Sequence, residues 1–570
     1  MLGKSVYKKI NTKYNVSMIE KSEILSPTKL WQDFNPVVDD TEISIIGMST
    51  KDGKITTELM FTAKEVDDGK IRAYLKIVQN EQTVENAPIV LIIPDVKGMP
   101  DDSVIDRVLG EGFQYATFEY AGVGEKRAEF TASTYYGNFD AIENIIEVDK
   151  SAKNTCWYLW ATIARRAITV LYERFENPKI CLIGENIGAN VGWIVAGMDA
   201  RVDCFVPING SGYIETMSEY YKPVIVSDYP TSWLAGLAMQ AYAKHVTCPV
   251  FYIGGSNNKY SDIDKAQDIL ALCSSQNKHA SICQNAEDKI TSEELYCVKL
   301  WLDMFFTGNE ECIKDTEIGF KVSGGKLYLT ANSTDENVVK VRFFVAKNEK
   351  NPSVREWNKM SQVTALSSGE YLVPLEVSSL DDRIYCFANT YYKNGLVFSS
   401  KLVNFLPSEC EEEVLLTPQK TPPRIIYNTS MGRYFFYGDN GALTFDRSKI
   451  IKRAGAFGVS GIGLEGGGNL YTFKVGDERY REPVTATLQL DAYTEKDATI
   501  EVVVYNLEED ELMPYKVSVF LESCDSWQQI KLTAQDFKNY EMISLDTFKD
   551  IKKIELKDIG DVIFNNIIWV

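Results

Sequence analysis

Apolar positions change their spacing along the chain. Over residues 1–80 they form short runs, Ile43-Ser-Ile-Ile-Gly-Met48 and Ile71-Arg-Ala-Tyr-Leu-Lys-Ile-Val78, with turn signals at Lys51-Asp52-Gly53 and Asp67-Asp68-Gly69. From about residue 86 the runs become continuous. Pro88-Ile-Val-Leu-Ile-Ile93 contains no polar position, which predicts a strand buried on both faces of a parallel sheet. Tyr115–Tyr120, Ile180–Ile183, Val202–Pro207, Pro249–Ile253 and His279–Cys283 predict further strands. Helical segments over Trp157–Phe175, Gly188–Met198 and Ser292–Phe306 alternate with them. Strands alternating with helices predict a doubly wound parallel sheet.

Around residue 308 the helical period stops. Residues 315–406 read as short strands with turns at Gly324-Gly325 and Asn394-Gly395, the pattern of an immunoglobulin-like β-sandwich. The acidic run Glu409–Glu413, broken by Cys410, and Pro418, Pro422 and Pro423 read as a linker. Strand candidates return at Val484–Leu490, Thr499–Tyr505, Lys516–Leu521, Gln529–Leu532 and Val562–Val570. The expected division is 1–310 for the α/β unit with its β-rich lead-in, 311–408 for the sandwich, 409–424 for the linker and 425–570 for a final β domain. A chain of 570 residues has room for these units at ~150 residues per domain.

Charge and cysteine usage narrow the partners. A formal net charge of −20 argues against a general nucleic-acid or anionic-membrane binder, because those surfaces need basic patches. The eleven cysteines show no C-x-x-C pair and no Cys/His group at zinc spacing. Several, such as Cys181, Cys204 and Cys248, lie in apolar runs, as in a reducing compartment. The first residues, MLGKSVYKKINTKYNVSM, lack the apolar core of a leader peptide, and no run of ~18 apolar residues is present. The expectation is a cytoplasmic protein without a membrane span, cofactor or metal. Removal of a leader before this sequence would place it at a surface instead.

The candidate chemistry centres on Cys181-Leu-Ile-Gly-Glu-Asn-Ile-Gly-Ala-Asn190. It reads as a buried strand, a glycine-framed turn and a helix start. This resembles the G-x-S-x-G nucleophile elbow of the α/β-hydrolase superfamily. Four further segments carry the resemblance in the expected order. They are the glycine-rich turn Tyr120-Ala-Gly-Val-Gly-Glu125, the helix with Trp157, Trp160 and Arg165-Arg166, the strand and turn Val246–Asn258, and Cys283-Gln-Asn-Ala-Glu-Asp288 before the closing helix with Trp301. The texture is closest to acetyl-xylan-esterase-like and dipeptidyl-peptidase-like branches and covers roughly residues 85–306. The final domain resembles a galactose-binding or carbohydrate-binding-module jelly roll through Ser526-Trp-Gln-Gln-Ile-Lys-Leu-Thr533, Asp536-Phe537, Ile551–Leu556 and Ile563–Val570.

The superfamily uses Ser, Asp and His in that order. At the aligned positions this chain has Asn186, Asn258 and Asp288, or Glu287 if the register slips by one. A carboxamide has no atom to deprotonate for acyl-enzyme chemistry. The only two histidines, His245 and His279, fall at strand starts, away from the expected site. Where the superfamily often has His-Gly, this chain has Pro94-Asp95. The resemblance therefore implies a pseudoenzyme, not an enzyme, acting as a binding or self-assembling scaffold. Two alternatives stay open. A non-standard hydrolase, such as a carbohydrate esterase, would draw on an acidic cluster of Asp95, Glu125, Glu185, Glu287 and Asp288 at the cleft mouth. A carbohydrate-binding protein would use exposed aromatic faces in the last domain, with Tyr434, Tyr437, Tyr471, Tyr480 and Trp527 as candidates. Trp527 alternates with apolar neighbours and is expected to be buried.

Overall fold

The fold was obtained as a computed structural model. It describes residues 23–66, 69–81, 87–96, 105, 110–120, 151–214, 230–307, 313–418, 424–432, 436–439, 447–480, 482–483, 485–508 and 511–570. The first unit is built on one nine-stranded sheet. Its strands are β1 (Ser44–Lys51), β2 (Lys54–Val66), β3 (Gly69–Asn80), β4 (Ile89–Ile93), β5 (Gln114–Phe118), β6 (Ile180–Glu185), β7 (Val202–Ile208), β8 (Val250–Gly255) and β9 (Lys278–Cys283). The spatial order is β1-β2-β3-β5-β4-β6-β7-β8-β9. The first three strands and the β3–β5 pairing are antiparallel, and from β5 to β9 all pairings are parallel. The longer helices are α1 (Cys156–Arg174), α2 (Ile187–Met198), α3 (Ile263–Leu272) and α4 (Ser292–Thr307). This is a mostly parallel sheet with helices on both faces.

Alternation along the strands sorts the core into two layers. Leu91, Ile93, Ile180 and Leu182 face α1 and α2 with Trp157, Trp160 and Trp193. Val90, Ile92, Cys181, Ile183, Cys204 and Val206 face α4 with Trp301. Strand β4 is apolar at every position because both of its faces are covered.

Two β units follow. The middle one comprises β10 (Glu317–Ser323), β11 (Lys326–Asn332), β12 (Val338–Lys347), β13 (Asn358–Lys359), β14 (Thr364–Ala365), β15 (Glu370–Leu375), β16 (Ile384–Tyr392), β17 (Val397–Ser399) and β18 (Val403–Phe405). They form two sheets, β10-β11-β15-β14 and β13-β12-β16-β17, with β18 also on β16. The last unit comprises β19 (Ile425–Tyr427), β20 (Tyr437–Asp439), β21 (Ile450–Ala454), β22 (Ser460–Leu464), β23 (Asn469–Thr472), β24 (Leu488–Tyr493), β25 (Ala498–Glu508), β26 (Glu511–Leu521), β27 (Gln528–Leu532), β28 (Ile551–Lys557) and β29 (Ile563–Trp569). Its sheets are β21-β22-β29-β24-β27, with β19 on β29, and β20-β23-β28-β25-β26.

The middle unit is continuous with the first. Phe398 and Leu396 complete the α4 layer, and Trp357 and Phe387 join the opposite one. His279 lies flat on Phe398, with ring centroids 4.2 Å apart, and its Nδ1 contacts Asp315 at 2.9 Å. This histidine seals the junction at β9. His245 follows the short helix Met239–Ala243, before β8.

Two sequence expectations shift. The strand expected at Val484–Leu490 begins at Leu488, because Pro483 accepts the Ala486 amide in a turn that puts Thr485 at φ +73°. The segment read as a linker is docked over its first part. Val414 is buried in the core of the middle unit, and the amides of Leu415 and Thr417 donate to Gly325 and Val377.

Arg166 ties the lead-in to the sheet. From α1 its guanidinium donates to the carbonyls of Pro36, Asp39, Asp40 and Thr62. Arg166→Ala removes the guanidinium donors of these four carbonyls, of which Pro36 keeps the Thr169 hydroxyl. It is expected to cost about 3 kcal/mol, read as a lower urea midpoint by tryptophan fluorescence.

Candidate active site

The turn between β6 and α2 has almost no free volume. A Cβ on Gly184 would lie 2.4 Å from the Ala189 Cα, and one on Gly188 would lie 2.2 Å from the Ile93 carbonyl oxygen. The two glycines let the helix start directly against β4 and β6. Asn186 sits at the apex with φ +49° and ψ −110°. That region is sparsely populated for non-glycine residues and costs roughly 1–3 kcal/mol. The conformation is held from outside. The Asn186 amide donates to the Ile208 carbonyl at 2.9 Å, and its own carbonyl accepts from Asn190. The Asn190 side chain in turn accepts the Gly212 amide at 2.8 Å.

The strained backbone presents the Asn186 carboxamide to Asp95. Asn186 Nδ2 donates to Asp95 Oδ2 at 3.3 Å, while Asp95 Oδ1 accepts the Val96 amide. Beside them Glu185 closes β6. Desolvation, reinforced by the Asp95 charge, pushes its carboxyl up to about 7, and Lys289 pulls in the opposite direction. Asp95, Glu185 and Asn186 are all partly exposed, so the group meets solvent. A carboxyl tuned close to neutrality can take a proton from water and return it.

Asn258 and Asp288 also meet. Asn258 Nδ2 donates to Asp288 Oδ1 at 3.3 Å, and Asn258 Oδ1 accepts the amides of Tyr260 and Ser261. Asn209 joins this pair to the elbow. It follows Ile208, donates to the Asp288 carbonyl at 2.7 Å and accepts the Gly255 amide at 3.0 Å. Asp288 is exposed. The acids read as one cluster therefore divide. Asp95 and Glu185 stand at the elbow, Asp288 pairs with Asn258, and Glu287 turns to Lys553 in β28. Glu125 lies outside the described residues. Among the described residues no group of three or more His, Cys, Asp or Glu side chains is placed to hold a metal ion.

The described aromatic candidates take separate places in the last unit. Tyr437 and Tyr471 are buried where the last unit meets the loop after β9, because their hydroxyls bond that loop. Lys474 lies 4.0 Å above the half-buried Tyr480 ring, with Arg479 also against it. Tyr434 lies outside the described residues. Trp527 is half-buried rather than buried, with Nε1 donating to the Ala456 carbonyl. Sequence reasoning also missed Lys553, Arg447 and Asn209. A lysine in the run Ile551-Lys-Lys-Ile-Glu-Leu556 gives no local sign of a partner 266 residues away.

No family model matches the chain. No curated protein matches it. Solved structures do match its first half. Acetyl xylan esterase 1 from Thermoanaerobacterium sp. JW/SL YS485 is 13% identical at TM-score 0.39, over 50% of this chain and 96% of that one. An acetyl xylan esterase from Paenibacillus sp. R4 is 11% identical at TM-score 0.36, over 49% and 92%. A glucuronoyl esterase from Solibacter usitatus is 10% identical at TM-score 0.33, over 52% and 98%. The expectation that the chain is not an enzyme is corrected by this finding, since the matched structures are esterases. The physical reason is that Asn186 removes a nucleophilic side chain, whereas hydrolysis by an activated water needs only a suitable base. No helix among the described residues is long and apolar enough to cross a membrane.

Two outcomes follow from the elbow. Gly188→Ala forces its methyl into the Ile93 carbonyl and is expected to abolish soluble, folded protein, read by circular dichroism and gel filtration. Glu185 has a folded value above its ordinary 4.5, so its contribution to stability is full below about 4.5 and is lost as pH rises through about 7. Glu185→Gln is therefore expected to match the native chain at pH 4 and exceed it by about 2 kcal/mol at pH 8, in denaturant titrations at both pH values.

Proposed function

We propose that the chain is an ester hydrolase, acting on acylated carbohydrate, that uses an activated water instead of a side-chain nucleophile. The observation that carries the reading is the Glu185 carboxyl, held close to neutrality beside Asp95 at the apex of the strained elbow. In its ionised form Glu185 takes a proton from a water. The resulting hydroxide adds to the ester carbonyl, and the tetrahedral oxyanion is met by the second Nδ2 hydrogen of Asn186. Glu185 then returns the proton to the departing alkoxide, so the carboxylate is regenerated and no covalent intermediate forms. Asp95 has two effects on this reading. It fixes the orientation of the Asn186 carboxamide, and its charge keeps Glu185 basic enough to act.

The same reading takes residues 1–310, 311–408 and 425–570 as three units joined by 409–424. The middle unit is then an immunoglobulin-like sandwich and the last a galactose-binding-like jelly roll that brings carbohydrate to the mouth of the site.

The test is turnover of aryl acetates and acetylated xylo-oligosaccharides by the purified chain across pH 5–9. The expected profile rises through about 7 as Glu185 ionises. Glu185→Gln is expected to lower kcat roughly a hundredfold or more. Asp95→Asn removes a charge that raises Glu185, so its rising limb moves to lower pH. Absence of turnover in the native chain, or native turnover in Glu185→Gln, overturns the proposal.

A further inference from the structure

The loop that follows β9 is bonded by all three units, and the last unit holds it at Gln284 and Glu287. Tyr437 accepts from Gln284 Nε2 at 2.7 Å, and Arg447 donates to the Gln284 carbonyl at 3.2 Å. Asn285 is fixed between the backbone groups of Trp357 in the middle unit. The Glu287 backbone bonds the Tyr471 hydroxyl. Lys553 supplies the strongest link. Its Nζ donates to both carboxylate oxygens of Glu287, at 2.7 and 2.6 Å. Lys553 is only 4% exposed and its ammonium is ringed by Tyr471 at 4.4 Å and Tyr505 at 4.6 Å. Glu555 stands 3.6 Å away, held by the Tyr505 hydroxyl.

A buried ammonium is tolerated only where opposite charge and aromatic faces replace its water. All of these groups are present, and they act on a short piece of chain. The two residues after Glu287 are Asp288, bonded to Asn258, and Lys289, whose charge acts on Glu185. The loop therefore reaches both halves of the candidate site, and Lys553 is the charged group of the last unit that holds it at Glu287.

We propose that Lys553 is a positioning residue for the hydrolytic site: by clamping Glu287 from the last β unit it sets the placement of Asp288 and Lys289, so the active form requires that unit docked. This rests on the ester-hydrolase reading for its consequence in catalysis, but the clamp itself is measurable without turnover.

The experiment uses the full chain and the variants Lys553→Met, Lys553→Arg and Lys553→Met/Glu287→Gln. Hydrogen exchange reads the clamp directly. In Lys553→Met the amides over 284–289 are expected to exchange at least tenfold faster, with those of β25 and β26 unchanged. Lys553→Arg restores a charged donor and is expected to return exchange to within about threefold of native. Kinetics read the consequence. Lys553→Met is expected to lose at least tenfold in kcat with KM within twofold. Lys553→Met/Glu287→Gln replaces the ion pair by a neutral pair, so it recovers the thermal midpoint without recovering kcat. Unchanged exchange over 284–289 in Lys553→Met overturns the clamp. Recovery of kcat together with the midpoint in the double variant shows a purely structural pair and overturns the positioning role. If the native chain turns nothing over while exchange responds as described, the hydrolase reading fails and the clamp stands. Should Lys553→Met not fold, Glu287→Gln alone is the substitute, with the same exchange and kinetic readouts.

Discussion

The contact between the start of α2 and the ends of β4 and β6 is the constraint on which the site depends. There is no space for a side chain at Gly184 or Gly188, so the chain must reverse within three residues. That reversal forces Asn186 into a backbone conformation it would not choose and leaves its carboxamide facing Asp95. Glu185, one residue earlier, is thereby fixed at the last position of a buried strand with a like charge beside it. The shift of its carboxyl is a consequence of backbone packing before it is a consequence of any neighbouring side chain.

The parts of this arrangement that are local in sequence could be read from it. The unbroken apolar run at β4 and the glycine spacing around Asn186 report burial and tight turning directly, because each reflects a backbone demand met within a few residues. Asn258 and Asp288 could be named because each follows a recognisable strand. The structure adds that they touch. What could not be read depends on distant pairings. Lys553 and Glu287 are 266 residues apart. The sequence gives no sign that Tyr437 and Tyr471 bond the loop after β9. Thr485 looks like strand because its β-branched neighbours mask the turn imposed by Pro483.

The acidic residues show why composition alone misleads about a site. A net charge of −20 makes any cleft of such a chain rich in carboxylates. The structure separates them by partner. Glu287 has an ammonium, Asp288 a carboxamide, and Glu185 the opposing charges of Asp95 and Lys289. For Glu185, burial and the Asp95 charge bring the carboxyl to about 7, where it can exchange protons near neutrality.

The junction at β9 bears on how the molecule is made. The apolar layer on one face of the nine-stranded sheet is closed by α4 and then by Leu396 and Phe398, which lie more than a hundred residues beyond the last strand that needs them. During synthesis the sheet emerges from the ribosome well before its cover does. For that interval the nascent chain carries an open hydrophobic face and a free parallel edge at β9. The first unit is thus a poor candidate for independent folding, and its biogenesis is coupled to translation of the middle unit. A ribosome paused between residues 310 and 395 holds the form of this chain most in need of a chaperone.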